Sequence, residues 1–234
     1  LLKEMEKHGL LSDCRVAIID PSTKKENDKT FCFWAHKDDE ILLDHQDLIS
    51  HHWTHIQINN NQKTPIGPLQ YYHINSLDLY DATRAIVDKF NIEMVAGKVE
   101  KIIKQDAYQI STEKQQISSD WIFDSRPPDF STIKNNPYYI SQSFYGLKIE
   151  LKSSQFDREV YHMMDFRVNQ QKSTQFIYIL PYDQHTGLVE LTRFGKLLVK
   201  KEEAKKILNE YILQQYGEYS ILDHEHGVIP MSSL

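Results

Sequence analysis

The residue in this chain best set for acid chemistry is Glu190, which lies in the run Leu188-Val189-Glu190-Leu191-Thr192. When an apolar strand packs, a carboxyl within it loses water, and desolvation disfavours the charged form. A glutamic acid held this way keeps its proton near neutral pH and can donate it. The competing reading is a strand carboxylate that points to solvent. Asp165 and Arg167 stand two apart in Met164-Asp165-Phe166-Arg167, so on a strand they share a face and can pair. Asp20 closes the apolar run that begins at Cys14 and immediately precedes Pro21. A carboxylate at the end of the second strand of a βαβ unit can hydrogen-bond a ribose, although any parallel αβ unit can produce the same pattern.

Other combinations carry less. On a helix, His51 and His55 would form an i, i+4 pair able to ligate zinc, but the segment reads as a strand, where that spacing separates them by about 13 Å. No H-E-x-x-H glutamate accompanies them, so no metal is expected. Cys14 and Cys32 are the only cysteines. They are too few for a disulfide framework, lack C-x-x-C spacing, and read as buried thiols in a reducing compartment.

The elements that must position these groups belong to a chain of 234 residues, long enough for one large domain or a domain with an insertion. Lys plus Arg number 27 against 33 Asp plus Glu, a net charge of -6, which argues against a nucleic acid partner. No apolar run approaches the ~18 residues of a membrane-spanning helix, and no signal segment opens the chain. A soluble or peripherally attached protein is expected. The 13 Tyr, 10 Phe and 3 Trp suit either a long apolar ligand site or an ordinary core.

Residues 1–11 have helical spacing with a stop at Gly9, and 14–20 read as a short buried strand. Strands are expected at 29–34, 53–59 and 69–74, with loop and short helix over 39–48. Asn75 or Ser76 caps an amphipathic helix whose apolar side carries Leu77, Leu79, Tyr80, Ile86, Val87 and Phe90. A meander follows over 91–116, then a strand over 121–124 that Pro127-Pro128 terminates. Strands at 143–151, 160–166, 175–180 and 188–192 alternate as an antiparallel sheet with one covered face would. Residues 200–216 form a second long helix ending at Gly217. The fold class is α/β: a Rossmann-like dinucleotide-binding layer, mainly residues 1–130, interrupted by an antiparallel substrate sheet, mainly residues 131–234.

Several ordered segments carry a resemblance. They are Lys29-Thr-Phe-Cys-Phe-Trp34, Tyr72-His-Ile-Asn-Ser-Leu-Asp-Leu-Tyr80, Asp124-Ser125-Arg126, Ser141-Gln-Ser-Phe-Tyr-Gly146, Met164-Asp165-Phe166-Arg167, Leu180-Pro181, Val189-Glu190-Leu191-Thr192 and Glu225-His-Gly-Val-Ile-Pro-Met231. Together they resemble the lycopene cyclase family, particularly its bacterial branch. The family's N-terminal glycine fingerprint and C-terminal glycine-rich segment have no counterpart, so the chain is expected to be an internal piece cut at both ends.

The resemblance implies FAD, used reduced and kept so by NADPH, and non-redox cyclisation of lycopene ends to β-rings. Glu190 matches the first of the family's two adjacent acidic residues and would protonate the polyene, while Leu191 replaces the second. Asp165 would face the cleft and stabilise the carbocation, with Arg167 orienting it or binding cofactor phosphates. Asp20 would take the adenosine ribose, Val99 would offer backbone bonds to adenine, and the Asp124-Ser125-Arg126 turn would lie near the cofactor. The protein would act in the cytoplasm, peripheral to the inner face of the membrane that holds lycopene. Alternatives are another flavin enzyme of this fold, such as an isoprenoid reductase or hydroxylase, or a non-catalytic carotenoid-binding module.

Overall fold

The computed structural model describes residues 1–127, 130 and 138–232. Two compact units emerge, one built from residues 1–30 and 75–128 and the other from 31–74 and 129–234. The chain thus leaves the first unit after Thr30 and re-enters it at Asn75, and residues 31–74 fold with the C-terminal half.

In the first unit the strand Ala17–Asp20 pairs in parallel with Glu93–Ala96, Asp20 opposite Ala96. Parallel neighbours need a long crossover, and this one contains the helix Ser76–Lys89. Ile86, Val87 and Phe90 from its apolar side pack with Leu2, Met5, Leu11, Ile18 and Ile92. Asn75 occupies the N-cap position, but its amide binds the Asp78 carboxylate at 2.9 Å. Asn27 instead accepts from the Leu77 amide and the Ser76 hydroxyl. A helix-end donor is thereby satisfied by a residue remote in sequence.

The expected meander is the antiparallel sheet of Val99–Lys104, Tyr108–Thr112 and Gln116–Ser119. Residues 121–124 do not form the expected strand: Trp121 is 80% exposed and Phe123 73%. The backbone of Trp121 bonds instead to the Ser119 hydroxyl, its N–H donating and its carbonyl accepting. Pro128, in the expected chain-turning Pro127-Pro128 pair, lies outside the described residues.

The second unit holds a seven-stranded sheet in the order Tyr219–Ser232, Tyr139–Leu151, Thr186–Gly195, Thr174–Pro181, Val160–Asp165, His55–Ile58, Thr64–Pro65. All its pairings are antiparallel except that between Val160–Asp165 and His55–Ile58. The helix Lys201–Tyr216 covers one face, where Ala204, Leu208 and Ile212 meet Leu147, Ile149, Ile177, Val189 and Leu191. Gly217, at φ +78°, ends that helix.

The opposite face is not bare, contrary to the expectation of a single covered face. Trp53, Tyr161, Leu180 and Leu188 form a second core there with Cys32, Tyr71 and Tyr178. Trp53 and Tyr71 come from a small sheet in which Leu69–Asn75 lies between Thr30–His36 and Ile49–Trp53. Thr186–Gly195 is consequently buried from Gly187 through Arg193. Both faces of a central strand are core, so its sequence is close to a continuous apolar run.

Candidate active site

Glu190 sits in the buried centre of Thr186–Gly195, and its register neighbours are Gly146 on one side and Tyr178 on the other. The residue is 8% exposed, and its carboxyl accepts a hydrogen bond from the Thr192 hydroxyl at 2.6 Å. Gly146 in turn faces Glu225 on the edge strand Tyr219–Ser232. A Cβ on Gly146 would lie 3.2 Å from Glu225 Cγ and 3.4 Å from Glu190 Cβ, so the glycine clears space between two acidic side chains. Both side chains therefore face the same space over Gly146. Burial first, with the nearby Glu225 carboxyl adding to it against the Thr192 bond, raises Glu190 to about 8.

Aromatic rings surround the strand next to Glu190. The Tyr178 hydroxyl donates to Tyr71 Oη at 2.9 Å. Tyr71 lies 4.8 Å from Tyr161 and 4.9 Å from Trp34 between ring centroids, and Trp53 is 5.7 Å from Tyr71. The Trp53 indole is anchored by donating to the Pro181 carbonyl at 2.8 Å. The Tyr161 hydroxyl is buried without a hydrogen-bond partner. Trp34, 40% exposed, forms the open side of the cluster. Cys32, half-buried here, has its thiol pushed up to about 12, chiefly by burial. Cys14 is exposed and not the buried thiol expected.

Asp165 is fully buried but on the helix-covered face, as its register partner Ile177 and its contact with Tyr211 show. It pairs with Arg167 as their spacing requires, with Arg167 Nη2 at 2.6 Å from Asp165 Oδ2 and Nε at 2.9 Å from Oδ1. The Tyr211 hydroxyl donates to the same carboxylate at 2.5 Å. Burial pushes this carboxyl up, but the Arg167 and Tyr211 bonds outweigh it and hold the group below the ordinary range. Neighbouring His162 is pushed down to about 4, mainly by burial. Asp165 and Glu190 therefore occupy opposite faces of one sheet and are not brought together.

The expected cofactor residues fall in the first unit. Asp20, at the C-terminal end of its parallel strand, accepts from the Ser22 amide at 2.7 Å and lies 3.6 Å from Lys24 Nζ. Arg126 joins two other candidates, pairing with Asp124 at 2.8 Å and donating to the Val99 carbonyl at 3.1 Å. The side-chain and backbone bonds from Arg126 hold the exposed Asp124 at about 2. Ser125 is exposed on the same turn. Ligands of open α/β sheets bind beyond the carboxyl ends of the strands, and Asp20 stands at such an end. His51 and His52 lie on a strand, and the His51 ring nitrogen Nε2 is 2.8 Å from the Arg158 carbonyl. Among the described residues no three-residue metal-binding group occurs.

Sequence reasoning did not single out Glu225, Gly146, Tyr178, Tyr71 and Trp34, which lie on the same sheet face as Glu190. Gly146 and Glu225 each stand within a segment that carried the family resemblance, which was the available signal. Nothing local marks them as partners.

The fold has counterparts among solved structures. It is similar to a geranylgeranyl bacteriochlorophyll reductase-like protein from Thermoplasma acidophilum, with TM-score 0.62, 9% identity, and coverage of 97% of this chain and 63% of that one. It is also similar to a flavin-dependent halogenase from Xanthomonas campestris, with TM-score 0.65, 8% identity, and coverage of 99% and 59%. Residues 8–233 match the family described as lycopene cyclase protein, and the chain belongs to that family. A curated relative, the chloroplastic neoxanthin synthase of Solanum lycopersicum, is 23% identical over an alignment of 264 residues covering 99% of this chain. The chain spans about half, 49%, of that relative's length.

Proposed function

We propose that the protein to which this chain belongs cyclises the ends of lycopene to β-rings, with Glu190 as the acid. The observation that carries this reading is a buried, proton-retaining glutamic acid on the same sheet face as a cluster of tyrosine and tryptophan rings. Protonating a terminal double bond leaves a carbocation on the polyene. The faces of Trp34, Tyr71 and Tyr161 attract positive charge through their quadrupoles. An internal double bond closes the ring, and loss of a ring proton ends the reaction without net redox change. The carotenoid-pathway name of the tomato relative and the family membership both support a linear carotenoid substrate.

Reduced FAD, maintained by NADPH, would supply an electron-rich ring when bound. Asp20 fits its ribose, being a carboxylate at a strand's carboxyl end with acceptor capacity beyond the Ser22 bond. The Val99 carbonyl and the Asp124-Ser125-Arg126 turn are proposed to flank the adenine side. Asp165 with Arg167 is proposed to act indirectly, by fixing the strand Val160–Asp165 against Tyr211 beneath the aromatic face. No described helix is long and apolar enough to cross a membrane. Lycopene is membrane-borne, and a cytoplasmic protein attached at the inner face is the corresponding proposal.

A second reading follows from the likeness to the Thermoplasma reductase-like fold: reduction of an isoprenoid double bond. The decisive experiment expresses the full-length protein, wild type and Glu190→Gln, in lycopene-accumulating bacteria. Cyclic carotenes from the wild type and unchanged lycopene from the variant are expected. Stoichiometric NADPH consumption with a hydrogenated product would overturn cyclisation in favour of the reductase, and undiminished cyclisation by the variant would remove Glu190 from the chemistry.

A further inference from the structure

We propose that the acid of this site is a carboxyl pair, in which Glu225 is a positioning residue that shares one proton with Glu190 across Gly146. The inference deepens the cyclase reading and rests on it for its chemical consequence. Its basis is geometric. The strand Tyr139–Leu151 lies between the two glutamates and places Gly146 directly opposite both. Any other residue there would carry a Cβ 3.0 Å from Leu188 Cδ1 and 3.2 Å from Glu225 Cγ, closer than side chains normally approach. With glycine, the two acidic side chains share the space over its backbone.

Two ionised carboxylates in contact repel, so one proton stays with the pair until pH is well above the carboxylate range. Glu190 is the deeper member and Glu225 the half-buried one. Several titratable groups face the pair. Cys32 and Tyr71 from the small sheet, Tyr178 from the adjacent strand and Tyr182 beyond it are all raised by burial and stay neutral. Lys148, two residues from Gly146 on its own strand, stands opposite Asp223, and its ammonium is 5.6 Å from the Tyr182 ring centroid. His224 and His226 turn to the other face and stack on Tyr145. An independent sign that this face receives a ligand is the buried, unpartnered hydroxyl of Tyr161, whose ring lies 6.2 Å from that of Tyr178.

The proton balance is closed. The Glu190 O–H bond breaks as a C–H bond forms at the terminal alkene carbon, leaving a carbocation and two carboxylates. An internal π bond then forms the ring C–C bond, a ring C–H bond breaks, and its proton returns to the pair. Repulsion in the doubly ionised pair favours that return, and no electrons are exchanged with another molecule.

The test follows the protonated-carboxyl C=O stretch by infrared spectroscopy during a pH titration of the full-length protein. A band that survives above neutral pH and is lost in Glu190→Gln is expected. In Glu225→Gln its midpoint should move to lower pH by about one unit, the size of a close like-charge effect. Glu225→Asp keeps the charge with a shorter reach, should give an intermediate midpoint, and serves if the glutamine variant does not fold. A merely structural Glu225 would leave the midpoint where it is in the wild type, and that result overturns the pair. The alkaline limb of cyclisation should follow the band. If the band behaves as expected but the wild type leaves lycopene unchanged, the pair stands and the cyclase reading fails.

Discussion

The two faces of the seven-stranded sheet each bury a carboxyl, and the two carboxyls behave in opposite ways. Beneath the helix, Asp165 meets a guanidinium and a phenol and stays ionised. On the aromatic face, Glu190 meets a hydroxyl and another carboxyl and keeps its proton. Burial pushes both upward, so burial does not distinguish them; the charge of the nearest partner does. A carboxylate with a cation built against it is a fixed anchor, and one with a second carboxyl against it is a proton reservoir.

That contrast is most sharply tested at Glu190. Glu190→Gln is expected to lower cyclisation by at least about 100-fold, the low end of what a general acid contributes, as read by chromatography of carotenes from the expressing cells. On the other face, Arg167→Ala should cost about 2 kcal/mol in urea unfolding. Breaking a buried pair can cost more, but Arg167 is partly solvated, at 38% side-chain exposure, and Tyr211 still binds Asp165. Activity in that variant should fall only as far as stability does.

The two faces also predict opposite pH slopes. Glu190 has a folded value raised from 4.5 to about 8, so its stabilising contribution is complete below 4.5 and is lost as pH rises through that window. Asp165 is depressed below its ordinary 3.8; its contribution is present above that value and is lost as pH falls through the folded one. Denaturant midpoints of Glu190→Gln should therefore lose the decline between pH 4.5 and about 8 and retain the loss at lower pH. An unchanged decline across that range would show that the two environments do not differ as described.

Smaller effects probe how the aromatic face is built. Gly146→Ala should destabilise by about 1–2 kcal/mol through overpacking and lower the alkaline limb of activity by separating the glutamates. Trp34→Ala should slow turnover about fivefold, the value of one partly exposed cation–π contact, with little change in thermal midpoint. An equal loss of turnover and stability would assign Trp34 to packing alone.

By itself the sequence determined most of the local structure. Apolar spacing places the helices Ser76–Lys89 and Lys201–Tyr216 and the strands Tyr139–Leu151, Val160–Asp165, Thr174–Pro181 and Thr186–Gly195 to within a few residues, because periodicity records which side of an element is buried, but it did not mark the strand Tyr219–Ser232. It also set Glu190 in apolar surroundings and gave Asp165 and Arg167 a common side. It did not reveal that residues 31–74 pack with the C-terminal half, since nothing in an excursion's composition says which core receives it. Residues 121–124 look like a strand and are not one, because a strand exists only where a neighbour accepts its hydrogen bonds.

Only the tertiary structure decided the chemistry of the carboxyls. The strand Tyr139–Leu151 had to insert between Thr186–Gly195 and Tyr219–Ser232 before Glu190 could meet Glu225. The sheet's pleat then sent Glu190 and Asp165 to opposite faces. Strand order and register are set by packing across the whole sheet, and a pKa depends on neighbours within a few ångströms. Glu225 and Gly146 acquire their relation to Glu190 only when that packing is complete.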